Sequence, residues 1–563
     1  MEIPEAYESE ACKVDRDEQE VYSGCSKFLY SSRLDCSLNL AEACKILVQS
    51  DAFAFALDNK GKIYFKENAC VRVQALTIKS NIQGTGMTIA GHQDFLNDQG
   101  KDSVRLSFLK ALNLLLSERK LFNGMFGYPS DSARVYLRPM AIQAEGDEEY
   151  EFFLPHLKIS SGGVITIVLE GGFGFEDLTS DEVVFEEVNK SLRNLESVLC
   201  DKALHKASVE CQMSQLSYFE RMAQKETFMK MMDSSLKSAI AIDFLEEELA
   251  LYELVHTDQI TLTDVARNVL SMVARSLASG KVKSEVNWRA VRKSDPPVGR
   301  YWYGKPLIGI LSHTGQKDGA EENWSGHKSF VNSVMVRAGL SGASYDQSIK
   351  LKDLRCFNDF NHFYSESVSL MLASSQVSSF IDRNDGYTFD NLISDAQILN
   401  EVAHYMIVFY AYASSALDDC IKSTDVTRIE LQVLSFEESL YSLYKYGEIA
   451  DYIDEVKQGT HLSMISKIFH KKVEAIKKSL ELDEKIASEA FTRRITLIFG
   501  IIASAALSPE LMQPLVKLAG FSLDEQWSKV IGLVAAMAAV TAFLVVTHYG
   551  LKLIGRLVRF LRS

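Results

Sequence analysis

The chain has 563 residues, room for two to four domains, and carries 75 acidic against 60 basic residues for a formal charge of −15. That balance excludes a generic nucleic-acid binder, whose affinity comes from an excess of lysine and arginine over the phosphates. Nine cysteines without a single Cys-x-x-Cys pair argue against a structural zinc site and suit reduced thiols.

Residues 1–35 read as an acidic segment holding Glu2, Glu5, Glu8, Glu10, Asp15, Asp17, Glu18 and Glu20, without the basic region and apolar run of a signal peptide. Residues 36–205 read as an α/β domain, expected in the cytosol. Leu38 to Val48 has helical spacing, and two short strands flank the turn Asp58-Asn59-Lys60-Gly61. Val71 to Ile78 predicts a strand, and Asp102 to Phe122 an amphipathic helix on Val104, Leu106, Leu109, Leu112, Leu115 and Leu116. Strands are expected at Val135 to Ile142, Glu151 to Ile159 and Gly163 to Glu170. Thr179-x-x-Glu182 predicts a capping box opening a helix to about Cys200.

Residues 206–360 read as helical, interrupted over 281–350 by an irregular insertion marked by Asp295-Pro296-Pro297 and several glycines, with a short strand at Leu307 to Leu311. Residues 361–490 read as a helical bundle. Within it, Val402 to Ala413 is very apolar but too short to span a bilayer, so it predicts a buried core helix containing His404. A stalk comes next: Leu462, Ile465, Phe469, Val473, Ile476, Leu480, Ala487 and Ala490 recur at threes and fours, with Asp483 interrupting. No proline or glycine separates this stalk from Ile495, which predicts one continuous rod.

Two apolar blocks close the sequence, Ile495 to Leu507 and Val530 to Val546, ahead of a basic tail at 550–563. They predict a transmembrane hairpin over 491–549. Arginine and lysine on both outer flanks orient both termini to the cytoplasm of an inner membrane. The expected fold is thus an α+β membrane protein with an N-terminal cytosolic α/β domain, a large helical middle with a stalk helix, and a C-terminal two-helix transmembrane hairpin.

This layout resembles the CorA-type divalent-cation transporters, and Pro514-Leu515-Val516-Lys517-Leu518-Ala519-Gly520-Phe521 is similar to the Pro-Leu…Ala-Gly stretch near the end of that family's first membrane helix. The resemblance implies a homo-oligomer, a pentamer if CorA-like, with the first membrane helices lining a pore. The Gly-Met-Asn motif that comes next in the family is missing, which removes the basis for magnesium selectivity. Some CorA-like proteins of prokaryotic antiviral defence are thought to be gated by nucleotide messengers, so the resemblance extends to a membrane-disrupting effector.

Three residue groups carry the candidate chemistry. Thr496, Gly500, Ser504 and Ser508 share a helix face that suits either a wet pore or close helix packing. Glu510, Asp524 and Glu525 in the connector suit an acidic outer mouth or a solvated loop. Lys281, Lys283, Trp288, Arg289, Arg292, Lys293, Arg300, Tyr301, Trp302, Tyr303 and Lys305 combine cations with flat rings, as a nucleotide requires, although aromatic anchors of a structural loop read the same way. No cofactor is identified; a divalent cation and a nucleotide are the ligands left open, and membrane lipid is an expected partner, whereas duplex nucleic acid is not. His313, His327 and His362 with Asp318, Glu321, Glu322 and Asp359 show no metal-ligand spacing. No phosphate loop, His-Glu-x-x-His or Gly-x-Ser-x-Gly motif occurs, so an enzyme is not expected. The leading expectation is a channel gated by a cytosolic sensing domain. The alternatives are a membrane-tethered scaffold without a pore and a tethered enzyme with an unrecognised site.

Overall fold

The computed structural model describes residues 20–518 apart from 35–36, 67–72, 78–101, 123–129, 246, 255–258, 280–300, 340–350, 356–357, 385–387 and 442–446, together with 527, 530, 531, 534 and 538. The chain divides into one unit of residues 1–419 and 428–472 and another of 420–427 and 473–563.

Strand β1 (Val21–Arg33) begins where the acidic run stops at Glu20. Helix α1 (Leu40–Val48) is capped by Asn39, whose side chain accepts from the Glu42 amide. Strands β2 (Phe53–Asp58) and β3 (Lys62–Lys66) form the expected pair. Asp58 Oδ1 accepts from the amides of Lys60 and Lys62, and Gly61 takes the φ of +85° that the turn requires. Strand β4 (Val73–Thr77) pairs with β3, and α2 (Asp102–Leu121) is the expected amphipathic helix.

The strand expected over 135–142 is two strands, β5 (Ser132–Leu137) and β6 (Met140–Ala144), because Pro139 lacks the N–H a continuous ladder would use. Strands β7 (Glu151–Ser160), β8 (Val164–Gly171) and β9 (Phe175–Thr179) come after them. Thr179 and Glu182 do make the capping box, but the helix they open ends almost at once. A π segment over Val183–Val188 and a 3-10 turn over Lys190–Leu192 lead instead into β10 (Asn194–Cys200), whose Leu195, Val198 and Cys200 join the sheet's core. Burial in a sheet overrides the local helix signal here.

Helices α3 (Lys202–Gln215) and α4 (Tyr218–Ser235) match the expected helical middle, but the chain from 240 to 373 does not. Strands β11 (Ile240–Phe244), β12 (Glu247–Glu253) and β13 (Ile260–Thr261), helix α5 (Leu262–Ser279), strand β14 (Tyr303–His313), helices α6 (Ala320–Gly326) and α7 (Lys328–Val336), and strands β15 (Phe360–Tyr364) and β16 (Ser369–Ala373) occupy it. The large helical middle is therefore corrected to part of a mixed α/β body. The physical reason is long-range pairing: β1 takes β8 on one edge and β14 on the other, setting Leu29 opposite both Val168 and Lys305. The main path of the sheet reads β11-β12-β10-β6-β7-β8-β1-β14-β16-β15, with β14 and β16 parallel.

Helices α8 (Ser375–Arg383), α9 (Phe389–Ala416), α10 (Ser423–Tyr441), α11 (Gly447–Gln458) and α12 (Thr460–Leu518) complete the order. One sheet face packs Phe28, Tyr30 and Ile167 against α1 and α5, and Ile308 and Ile310 against Phe330 and Val334 of α7. The other face packs Leu29, Val168 and Leu307 against Ile393 and Ala396 of α9. The approach there is close, since a Cβ on Gly309 would stand 2.1 Å from Ile393 Cδ1. Val402 to Ala413 lies inside α9 as a core helix, as its length predicts.

Among the described residues no helix is long and apolar enough to cross a membrane. This overturns the transmembrane hairpin, and with it the multi-pass inner-membrane placement with cytoplasmic termini. The stalk exists as the single helix α12, which runs through Ser508-Pro509-Glu510. The uninterrupted apolar run on it, Ile495 to Leu507, falls short of the roughly 20 residues a span needs, with Arg493-Arg494 before it and Glu510 and Lys517 after. Of the second block, only residues 530, 531, 534 and 538 are described.

Candidate functional site

The α9-facing side of the sheet is polar where a sheet interior is normally aliphatic. Residues two apart on a strand share a face, and residues three, four and seven apart share a helix face. Arg134 and Tyr136 of β5, His156 and Lys158 of β7, Thr166 and Glu170 of β8, Lys27 and Ser31 of β1, and Tyr303 and Lys305 of β14 obey the first rule. Gln397, Asn400, Glu401 and His404 of α9 obey the second, and all four are buried. Their convergence makes two adjoining polar clusters.

The first cluster is a closed ion network. Arg134 donates to both carboxylate oxygens of Glu401, at 2.6 and 2.7 Å, and more weakly to Glu118 at 3.3 Å. Lys158 Nζ bridges the same two acids at 2.9 and 3.1 Å. Lys27 and Lys110 both reach Glu170 Oε1, at 3.1 and 2.5 Å. Gln397 links the halves, accepting from Lys27 Nζ at 3.0 Å and donating to Glu401 Oε1 at 2.9 Å, with His156 Nε2 3.0 Å from its amide nitrogen. Burial opposes charge on Glu401, yet Arg134 and Lys158 outweigh it and hold the carboxyl below the usual carboxylate range. Lys110 and Lys27 do the same for Glu170. Burial, reinforced by Arg134, lowers the His156 imidazole to about 3, so it stays neutral. With its charges mutually paired, this network fixes how α9 and α2 sit on the sheet.

The second cluster is different because its cation is not neutralised. Lys305 is 2 % exposed. Its Nζ donates to the Ser365 carbonyl at 3.2 Å and lies 3.4 Å from the centre of the Tyr364 ring. Among the described residues no carboxylate lies within ion-pair distance of it. Burial accordingly drives its pKa well below the ordinary lysine value, with Glu366 opposing only in part. Around it stand Tyr303, which packs edge-on to His404 at 4.6 Å, and Tyr452 of α11, which stacks on His362 at 5.3 Å and meets Tyr364 at 5.1 Å. Burial, with Lys305 adding to it, lowers His362 to about 3 and takes His404 down as well. Burial also raises Tyr303 to about 12.

Among the described residues, several polar atoms of this cluster are buried without a hydrogen-bond partner: His362 Nδ1, His404 Nε2, Asn400 Oδ1 and the Tyr452 hydroxyl. Their other atoms are fixed. His404 Nδ1 is 2.9 Å from Ser31 Oγ, and Asn400 Nδ2 and His362 Nε2 approach Ser369 Oγ at 3.0 and 3.3 Å. Orphaned polar atoms beside a buried amine whose pKa burial depresses are a liability, since each one costs free energy until it is satisfied. Chemically, the amine can take up a proton or add to a carbonyl carbon.

The cluster also touches the start of α12. The Tyr303 hydroxyl donates to the Glu366 carbonyl at 3.1 Å, while the Glu366 carboxylate accepts from the His461 amide in the first turn of that helix. One residue thus joins the lysine's surroundings to the long helix.

The residues singled out from sequence fare unequally. Lys281, Lys283, Trp288, Arg289, Arg292, Lys293 and Arg300 lie outside the described residues. Tyr301 is buried edge-on to Tyr412, and Trp302 stacks on Tyr30 with Arg267 5.2 Å from its ring centre, so both are packing groups; only Tyr303 and Lys305, at the end of that segment, enter the cluster. Thr496 and Gly500 sit on α12, where the Thr496 hydroxyl donates to the Thr492 carbonyl at 2.9 Å. Ser504, Ser508 and Glu510 belong to the same helix without described side chains, and Asp524 and Glu525 lie outside the described residues. His313 and His327 pack 4.2 Å apart, but His362 stands in the lysine cluster, and among the described residues no group of three or more His, Cys, Asp or Glu side chains is placed to hold a metal. Sequence reasoning missed Gln397, Asn400 and Glu401. Their spacing with His404 inside an otherwise apolar helix is the signal that marks them.

No family model matches the chain, and no curated protein or solved structure matches it either.

Proposed function

We propose that this chain is a regulatory binding protein in which the Lys305 cluster receives a small anion and α12 carries the response. A conducting pore depends on membrane-crossing helices, which are absent among the described residues; the reading is of a sensing body with a stalk and no pore. The observation that carries the reading is the uncompensated amine of Lys305, ringed by orphaned hydrogen-bonding atoms and joined through Glu366 to the first turn of α12. An anion arriving with its proton would leave Lys305 charged and paired, converting a buried liability into an ion pair. The same pairing would draw on Glu366 and alter its hold on His461.

The test is thermal denaturation and amide hydrogen exchange of the full chain with acetate, phosphate or a nucleoside monophosphate as probes. At least one should raise the melting temperature and change exchange over residues 460–470, and Lys305→Met should abolish both effects. A set of probes that leaves the wild type unmoved, or shifts Lys305→Met equally, refutes the reading.

A further inference from the structure

Helix α12 beyond the first unit carries its side chains into solvent: every residue from Glu481 to Arg494 is exposed. Apolar side chains are prominent on this stretch and just past it, with Leu482 at 54 %, Ile486 at 63 %, Phe491 at 63 % and Ile498 at 54 %. Isolated helices gain little stability from propensity alone, so a long apolar-bearing helix in water implies something that covers it. Its own sequence says what. Leu480, Asp483, Ala487, Ala490, Arg494 and Leu497 recur at alternating threes and fours, the spacing of a two-stranded coiled-coil seam. Two of these six are charged, and they lie symmetrically about the point between Ser488 and Glu489.

That symmetry decides the partner and its direction. Reversing the seam on itself sets Leu480 against Leu497, Asp483 against Arg494 and Ala487 against Ala490, with each layer pairing the two alternating seam positions. A parallel pairing in register would instead place Asp483 on Asp483 and Arg494 on Arg494, two like-charge layers in the seam. Among the described residues neither Asp483 nor Arg494 has an ion-pair partner within the chain, so both are available. We propose that α12 pairs antiparallel with α12 of a second copy of this chain along that seam, with two Asp483–Arg494 ion pairs setting register and orientation. Ile486 and Phe491 flank the seam and would be covered with it. The small Ala487–Ala490 layers at the centre allow the helices to approach closely, and the polar layers trade stability for specificity.

The proposal deepens the output half of the reading above but rests on α12 alone, so a failed anion response leaves it intact, and a monomeric protein leaves the anion site intact. Sedimentation equilibrium of the full chain should give a dimer. Asp483→Arg and Arg494→Asp should each weaken it roughly ten-fold or more, because each replaces a charge pair with like charges, and the double substitution should return the affinity to within a few-fold of wild type. Equal amounts of Ala487→Cys and Ala490→Cys protein, mixed and oxidised, should give a 487–490 disulfide between chains by peptide mass spectrometry. A monomeric wild type, charge variants with unchanged mass, a double variant weaker than either single one, or preferential 487–487 cross-linking would each overturn the proposal.

Discussion

An ammonium group moved from water into a dry interior without a carboxylate loses several kcal/mol of hydration, and shedding the proton is the cheaper outcome. Lys305 meets those conditions among the described residues, whereas Lys27 and Lys158 on the same sheet face, and Lys110 on α2, have Glu170, Glu118 and Glu401 to pair with. The consequence for stability has a definite sign. With its folded pKa depressed, Lys305 imposes no penalty above about pH 10.5, and the penalty grows as pH falls towards the folded value, because only the unfolded chain takes up the proton. Lys305→Met should therefore be more stable than wild type at pH 7, by about 1–3 kcal/mol, with the difference shrinking towards pH 10. Urea denaturation at several pH values measures it; a variant less stable at pH 7 would show that the amine is charged and satisfied in the fold. In sequence Lys305 was one cation among seven in a basic, aromatic stretch, and nothing local distinguished it.

At the scale of elements, much was legible. The turn at Asp58 to Gly61, helix α2, strands β7 and β8, and the unbroken run of α12 all arise from hydrogen-bonding patterns and periodicities that span only a few residues. Where local signals failed, a longer-range demand won: the capping box at Thr179 formed, yet the chain after it was drawn into β10. The contact between β14 and α9 depends on one missing side chain. Gly309→Ala would put a methyl group 2.1 Å from Ile393 Cδ1 and should destabilise the fold by about 1–3 kcal/mol. Adding Ile393→Val should recover part of the loss, because it removes Cδ1 and leaves Cγ1 as the nearest atom of that side chain at 3.0 Å. Thermal melts of the variants test this; a neutral Gly309→Ala would mean that α9 is not seated in that notch.

The molecule as a whole is built to be acid-sensitive. His156 and His362 are buried in neutral form, each held at about 3, so between pH 6.5 and 3 the unfolded chain gains protons that the folded chain refuses. At about 1.4 kcal/mol per unit, each costs roughly 2–3 kcal/mol by pH 4.5. Glu170 and Glu401 act in the same direction, since a carboxyl held below its usual range stabilises the fold above the ordinary value and loses that contribution as pH falls through the folded one. Denaturation midpoints should drop steadily from pH 7.5 to 4.5; a midpoint that stays level would contradict neutral buried histidines.

By itself the sequence determined elements such as the turn at Asp58 to Gly61, α2 and α12, and the charge on the seam of α12, because a helix or turn repeats its geometry along a few neighbouring residues. Only the tertiary structure decided who meets whom: that β14 lies beside β1, that Lys305, His362, His404 and Tyr452 share one interior, and that among the described residues no carboxylate comes within ion-pair distance of the lysine. It also replaced the expected membrane hairpin with a helix whose described part does not meet the length and apolarity of a span. Periodicity names the face of an element, but the neighbour that face finds is set by pairings hundreds of residues apart, and with it the dielectric and partners that fix each group's chemistry.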